Sequence, residues 1–287
     1  MNGLSHWWRR RTLERAHRRF DPPSWDPFWA ELPLLAGLDA TEVTALRDLA
    51  VLFLREKTIT ATAGIELTDP MRLTIALQAC LPILRLGLPW YGGWYQVIVY
   101  PDEFVPRHEW TDENGLVWRD DSPMSGEAWE RGPVVLSWGD VEAGAVRDGY
   151  NLVIHEFAHK LDMRNGLANG HPPLHRGMSD RDWAEDLSTA YEDLVRRVEC
   201  GEETPLDPYA AESPAEFFAV LSEAFFEIPA RLRDEYPRVY AQFARFYRQD
   251  PAARLPALPA STPCEVGSPP RRSREAAGED ADRTPDR

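Results

Sequence analysis

The feature that most constrains this chain is an apolar run that encloses five ionisable residues. Residues 152–162 read Leu152-Val153-Ile154-His155-Glu156-Phe157-Ala158-His159-Lys160-Leu161-Asp162. No glycine or proline interrupts them. His155 and His159 are four apart, so on an α-helix both imidazoles lie on one face. A strip this apolar does not ordinarily hold His-Glu-x-x-His unless the polar groups have a partner. Zinc suits the spacing: it takes imidazole nitrogens at about 2.0–2.1 Å and prefers four ligands in a tetrahedron. Glu156 follows the first histidine and falls beside the open coordination position. There it can act as general base toward water and later return the proton to a leaving amine. The competing explanation is two histidines and a glutamate satisfied by hydrogen bonds alone. Lys160 is out of pattern, because many zinc peptidases carry an uncharged residue there.

A catalytic zinc site needs a third protein ligand and one open position. The extended metzincin pattern requires glycine at 162 and histidine at 165; the chain has Asp162 and Asn165. Asp162 lies three residues after His159 and could either coordinate or orient a histidine. His171 and His175 are four apart, but Pro172 and Pro173 between them argue against a regular helix. The remaining source is a second helix. Glu212 to Phe226 is unusually apolar and embeds Glu216 and Glu223, seven apart and therefore on one face. Either carboxylate fits the ligand role on chemistry alone. Ser213-Pro214-Ala215-Glu216 also reads as a capping box, with Glu216 reaching back to Ser213.

The surrounding sequence predicts an α+β domain, mostly helical, with a small sheet. Helical patterns begin at Asp39 and at Pro70 and cover about 149–162, 180–200, 213–228 and 237–248. Residues 94–100 and 133–138 read as strands, with turn chemistry at Asp112-Glu113-Asn114-Gly115 between them. An edge strand at 134–138 could pair with an extended peptide. Trp90, Trp94 and Trp138 are candidates for a groove, although core packing is expected of at least two. Three units follow: a basic arm over 1–24, a domain over 25–250, and a Pro/Ala/charge-rich tail over 251–287 that reads as disordered. Residues 21–33 carry four prolines and read as extended.

Composition excludes several classes. A net charge of −15 argues against direct nucleic-acid binding. No apolar stretch is long enough to cross a membrane. Arg9-Arg10-Arg11 is followed by charged rather than apolar residues, against an export signal. Cys80, Cys200 and Cys264 form no CxxC pair, so neither a thiolate metal site nor a disulfide framework is expected. These points favour the cytoplasm.

Residues 155–162, Asn165-Gly166, Ala215 to Glu223 and Val134 to Trp138 together resemble the Mlc titration factor A family of bacterial zinc peptidases, over roughly residues 25–250. That family is similar in its core to the catalytic domain of anthrax toxin lethal factor. The resemblance implies a zincin-like domain of the gluzincin type, with Zn2+ held by His155, His159 and Glu216. It implies Glu156 as catalytic base and Tyr209, in Asp207-Pro208-Tyr209, as donor to the developing oxyanion; Glu223 then either supports a ligand or is simply a helix-face residue. It also implies aminopeptidase-like activity on short peptides. The partner it implies is the transcription repressor Mlc, and through it sugar phosphotransferase gene expression. The alternative reading is a non-catalytic protein that sequesters such a repressor.

Overall fold

The computed structural model describes residues 3–62, 64–102, 108–111, 117–120, 126–128, 132–144 and 146–257. Within them the helices are α1 (Gly3–Phe20), α2 (Asp26–Glu31), α3 (Ala40–Glu56), α4 (Asp69–Cys80), α5 (Trp138–Ala143), α6 (Leu152–Asp162), α7 (Asp180–Glu199), α8 (Pro214–Glu227), α9 (Pro229–Glu235), α10 (Pro237–Tyr247) and α11 (Pro251–Arg254). The strands are β1 (Thr58–Ala61), β2 (Gln96–Tyr100), β3 (His108–Thr111), β4 (Val117–Asp120), β5 (Gly126–Ala128) and β6 (Val134–Ser137). The chain is thus mostly helical with a small sheet, as its pattern predicts.

Helix starts follow side-chain chemistry. Asp39 accepts from the N–H groups of Thr41 and Glu42, and Glu42 reaches back to the Asp39 N–H, a full capping box on α3. Asn151, Ser179 and Ser213 cap α6, α7 and α8. The Asn151 cap explains why α6 begins at 152 rather than 149. The prolines of 21–33 do not keep that stretch extended: Pro27 sits in the first turn of α2, where its missing N–H costs nothing.

The main sheet has the order β1-β2-β6-β5. β1, β2 and β6 run parallel, and β5 pairs antiparallel with β6. All four residues of β6 are buried, as a strand covered on both faces should be. Its position corrects the edge-strand expectation for 134–138. β6 is internal, with both edges already paired, and β5 is the outer strand. Trp138 has left the sheet and opens α5. β3 and β4 form a separate antiparallel pair; the turn residues 112–115 between them lie outside the described residues.

α6 runs through the middle of the molecule. One side meets an aromatic group in which Phe157 packs against Phe53, Tyr91 and Trp94 with ring centroids 5.1–5.6 Å apart. The other side packs most extensively on α8. Behind α8, Phe218, Phe225, Phe243, Phe246 and Tyr247 make a second, edge-to-face aromatic group with Trp183. Trp94 is buried in the core. Trp90 packs on His175 and Phe246, so neither is free to line a groove.

Both ends of the domain reach beyond 25–250. α1 packs along α3: Ala16 is buried, and His17 Nε2 bonds Asp48 Oδ1 at 2.7 Å. The basic arm is therefore a docked helix over 3–20. At the other end, Pro251 and Leu255 are buried, and Arg254 Nη1 donates to the carbonyls of Leu34 and Ala36 at 2.7 and 2.6 Å. Gly37, at φ +75°, lets this approach happen, since a Cβ there would lie 2.5 Å from the Arg254 carbonyl. The rest of the expected tail, 258–287, lies outside the described residues.

Arg254→Ala removes two charge-assisted hydrogen bonds that join the two ends of the fold. It should lower unfolding free energy by about 2 kcal/mol, and the melting temperature by about 4–8 °C. Urea and thermal denaturation would measure this; an unchanged midpoint would show that the clasp contributes nothing.

Candidate metal centre

α6 brings His155, Glu156 and His159 to the interface with α8, and Ser213 fixes where α8 begins. The Ser213 hydroxyl accepts the Glu216 N–H at 3.1 Å. Only that half of the expected capping box forms. The Glu216 side chain points at the histidines instead of reaching back: its Oε2 lies 3.0 Å from His155 Nε2 and 3.5 Å from His159 Nε2. The two Nε2 atoms are 3.2 Å apart.

Three ligand-type atoms therefore converge, all within 4.8 Å of one another. Their protonation logic favours a cation. His155 Nδ1 is 2.7 Å from Glu223 Oε1, which holds a ring proton on Nδ1 and leaves Nε2 as the atom that faces Glu216. Glu216 Oε2 is buried, and the polar groups it faces are the two imidazoles. A carboxylate oxygen and two imidazole nitrogens that converge on one point fit a divalent metal.

Without a metal, the same carboxylates draw a proton to this point. Burial of His155 opposes its charged form, but the Glu223 and Glu216 carboxylates outweigh burial and hold its pKa well above the ordinary histidine range. Burial likewise opposes charge on Glu216, but hydrogen bonding to His155 and His159 holds its carboxyl well below the usual range. Glu223 goes the other way: burial raises it, and His155 only partly compensates.

The flanking residues are placed as follows. Glu156 is buried on α6, and Gly126 of β5 runs against it: a methyl at Gly126 would fall 2.3 Å from Glu156 Oε1 and 2.7 Å from Leu152 Cδ1. β5 thus forms a wall on the Glu156 carboxylate. Tyr209, in the short 3-10 turn Pro208–Ala211 before α8, has its ring 6.2 Å from that of His155. Lys160 is accommodated by burial of its stem, donation from Nζ to the Gly132 carbonyl at 2.9 Å, and the Trp94 ring 5.0 Å away. Burial brings its pKa down to about 8, with Glu156 opposing.

The other candidates are engaged elsewhere. Asp162 Oδ2 accepts the N–H groups of Asn169 and Gly170, both at 2.7 Å, which folds the loop after α6. His171 stacks on Trp183 and lies 3.2 Å from Asp180, and His175 bonds the Phe246 carbonyl. Two residues of the site escaped the sequence reading. Gly126 carried only the weak signal of glycine in a short strand. Asn151 carried the signal of an N-cap residue before an apolar run.

The carboxylates that favour a cation here also favour a proton on His155, so metal and proton compete. Binding of cobalt(II), followed by its visible absorption, should weaken by about tenfold per pH unit for each proton displaced, starting above the ordinary histidine range, as pH falls below the raised pKa of His155. Affinity independent of pH would mean that the imidazoles are not ligands.

A family model described as glucose-regulated metallo-peptidase M90 matches residues 5–248. Proteins called Mlc titration factor A from Yersinia pestis (strain Pestoides F) and Yersinia pseudotuberculosis serotype O:1b (strain IP 31758) are each 44% identical over 228 residues, covering 78% of this chain and 84% of the relative. The match takes in α1 and ends one residue after α10. With most of its length matched by the model and by such relatives, the chain belongs to the glucose-regulated metallo-peptidase M90 family.

Proposed function

We propose that the chain is a zinc-dependent peptidase with a zincin-type domain, in which His155 and His159 Nε2 and Glu216 Oε2 hold the ion. The observation that carries this is the convergence of those three ligand-type atoms within 4.8 Å of one another, with Glu156 next to His155 on the same helix. Two imidazoles and one carboxylate suit zinc and leave a fourth position for water or substrate. Zinc in such a site polarises a scissile carbonyl and makes water nucleophilic near neutral pH.

The chain's own residues would divide the remaining work. Glu156 accepts a proton from the attacking water and delivers it to the departing amine. The wall at Gly126 limits where its carboxylate can swing. Tyr209 donates its phenolic hydrogen to the oxyanion that develops on the substrate, as an oxyanion hole would. Glu223 holds His155 in the ligating tautomer. Short peptides cut from the amino end are the substrate class we favour. We place the protein in the cytoplasm. No helix among the described residues is long and apolar enough to cross a membrane, and Cys80 and Cys200 are free thiols. The unit we assign to this work runs from α1 to Leu255.

Elemental analysis should find one zinc per chain, lost in His155→Ala and weakened in Glu216→Ala. Glu156→Gln should keep the metal and lower kcat by about a hundred- to ten-thousand-fold, and Tyr209→Phe by about a hundred- to a thousand-fold. Wild-type protein that takes up no zinc when supplied with it would end the peptidase reading.

A second reading has its own support in the name of the relatives, titration factors of Mlc. The protein would then also bind a transcription repressor of that kind and so affect sugar phosphotransferase gene expression. Glu156→Gln separates the two. Repressor binding by the inactive, zinc-loaded variant is expected to equal that of wild type; binding lost together with hydrolysis would make the two activities one.

A further inference from the structure

Three glutamates of α8 lie along the face turned to α6: Glu216, Glu223 seven residues on, and Glu227 four beyond that. The first two meet the histidines. Glu227 is fully buried, at the far end of α8, and touches none of the proposed ligands. An apolar residue would suit a position between Phe226 and Ile228 better than a buried acid, unless the acid has a task.

Its contact is Asn151, whose Nδ2 donates to Glu227 Oε1 at 3.0 Å. Asn151 is a junction. Nδ2 also reaches Gln78 Oε1 on α4 at 2.7 Å and the Gly144 carbonyl at 3.3 Å. Oδ1 accepts the Ile154 N–H at 3.0 Å and so caps α6. The Asn151 backbone N–H donates to Glu223 Oε2 at 2.5 Å, and the other Glu223 oxygen holds His155 Nδ1 at 2.7 Å. A continuous hydrogen-bonded path thus runs from Glu227 through Asn151 and Glu223 to His155, with no step longer than 3.0 Å.

We propose that Glu227 is a positioning residue for the metal centre: by holding the Asn151 side chain it fixes the start of α6 and the Glu223 carboxylate, and through them the direction of the His155 Nε2 lone pair. This rests on the metal reading given above. Burial pushes the Glu227 carboxyl well above the ordinary range, with the Asn151 hydrogen bond opposing. Glutamine can replace it in shape and as an acceptor, whereas methionine fills the space without accepting a hydrogen bond.

The test is zinc affinity of the full chain at fixed pH, by competition with a chromophoric chelator, alongside thermal melting. Glu227→Met should bind zinc about tenfold more weakly or worse, in the range of other residues that support metal ligands. Glu227→Gln should restore the affinity to within about threefold of wild type. Combined with Glu223→Gln, Glu227→Met should add little further loss, because both act on His155 by one path. Should Glu227→Met fail to fold, Asn151→Ser serves instead: it keeps a capping oxygen for Ile154 but loses the donor to Glu227, and should weaken zinc binding similarly. A lower melting temperature with wild-type zinc affinity, or fully additive losses, would overturn the proposal. Wild-type protein that binds no zinc would overturn the proposed function and this inference with it. Undiminished binding in both Glu227→Met and Asn151→Ser would overturn this inference alone.

Discussion

The 2.7 Å contact between His155 Nδ1 and Glu223 Oε1 is the interaction on which the centre of this protein depends. It joins α6 to α8, the helix on which α6 packs most extensively, and it decides which imidazole nitrogen is left to face Glu216. Without an acceptor at Nδ1, the ring could adopt either tautomer and turn its Nε2 proton toward Glu216. With it, Nε2 faces His159 Nε2 and Glu216 Oε2. One carboxylate thereby converts a helix–helix contact into a site with the donor set of a metal centre.

Burying so much polarity in α6 is expensive, and each group is satisfied by a different element. Asp162 closes the loop that follows the helix, Lys160 holds the Gly132 carbonyl ahead of β6, and Asn151 ties the helix start to α4 and α8. The apolar side of the helix is held as firmly, by Phe157 among Phe53, Tyr91 and Trp94. Aromatic packing on one side and hydrogen bonds on the other leave the histidines little freedom to turn. Rigid elements of this kind hold a reactive geometry better than loops do.

The sheet matters to the site through a single strand. β5 lies outside β6 and comes so close to α6 that only glycine fits opposite Glu156. The ends of the fold converge elsewhere, where Arg254 meets the carbonyls of Leu34 and Ala36. That clasp joins the segment ahead of α3 to α11.

The helix carrying His155, Glu156 and His159, the second apolar helix with Glu216 and Glu223, and the mostly helical architecture were all legible in the sequence. Each depends on local periodicity and helix punctuation, which the chain states without help from distant residues. Chemistry alone did not separate Glu216 from Glu223, because seven residues along a helix place both on one face. Their roles follow from the crossing of α8 over α6, which sets Glu216 beside the Nε2 atoms and Glu223 beside Nδ1. The same limit explains the other misreadings. Whether residues 134–138 form an edge, whether a basic segment docks, and whether Leu255 is buried are questions of which surface lies opposite. Partners that distant in the chain leave no periodic trace in it. By itself, then, the sequence determined which residues could hold a metal and on which helices. Only the tertiary structure decided which atoms face one another, because the packing of α6 on α8 chooses among side chains that the helical repeat treats alike.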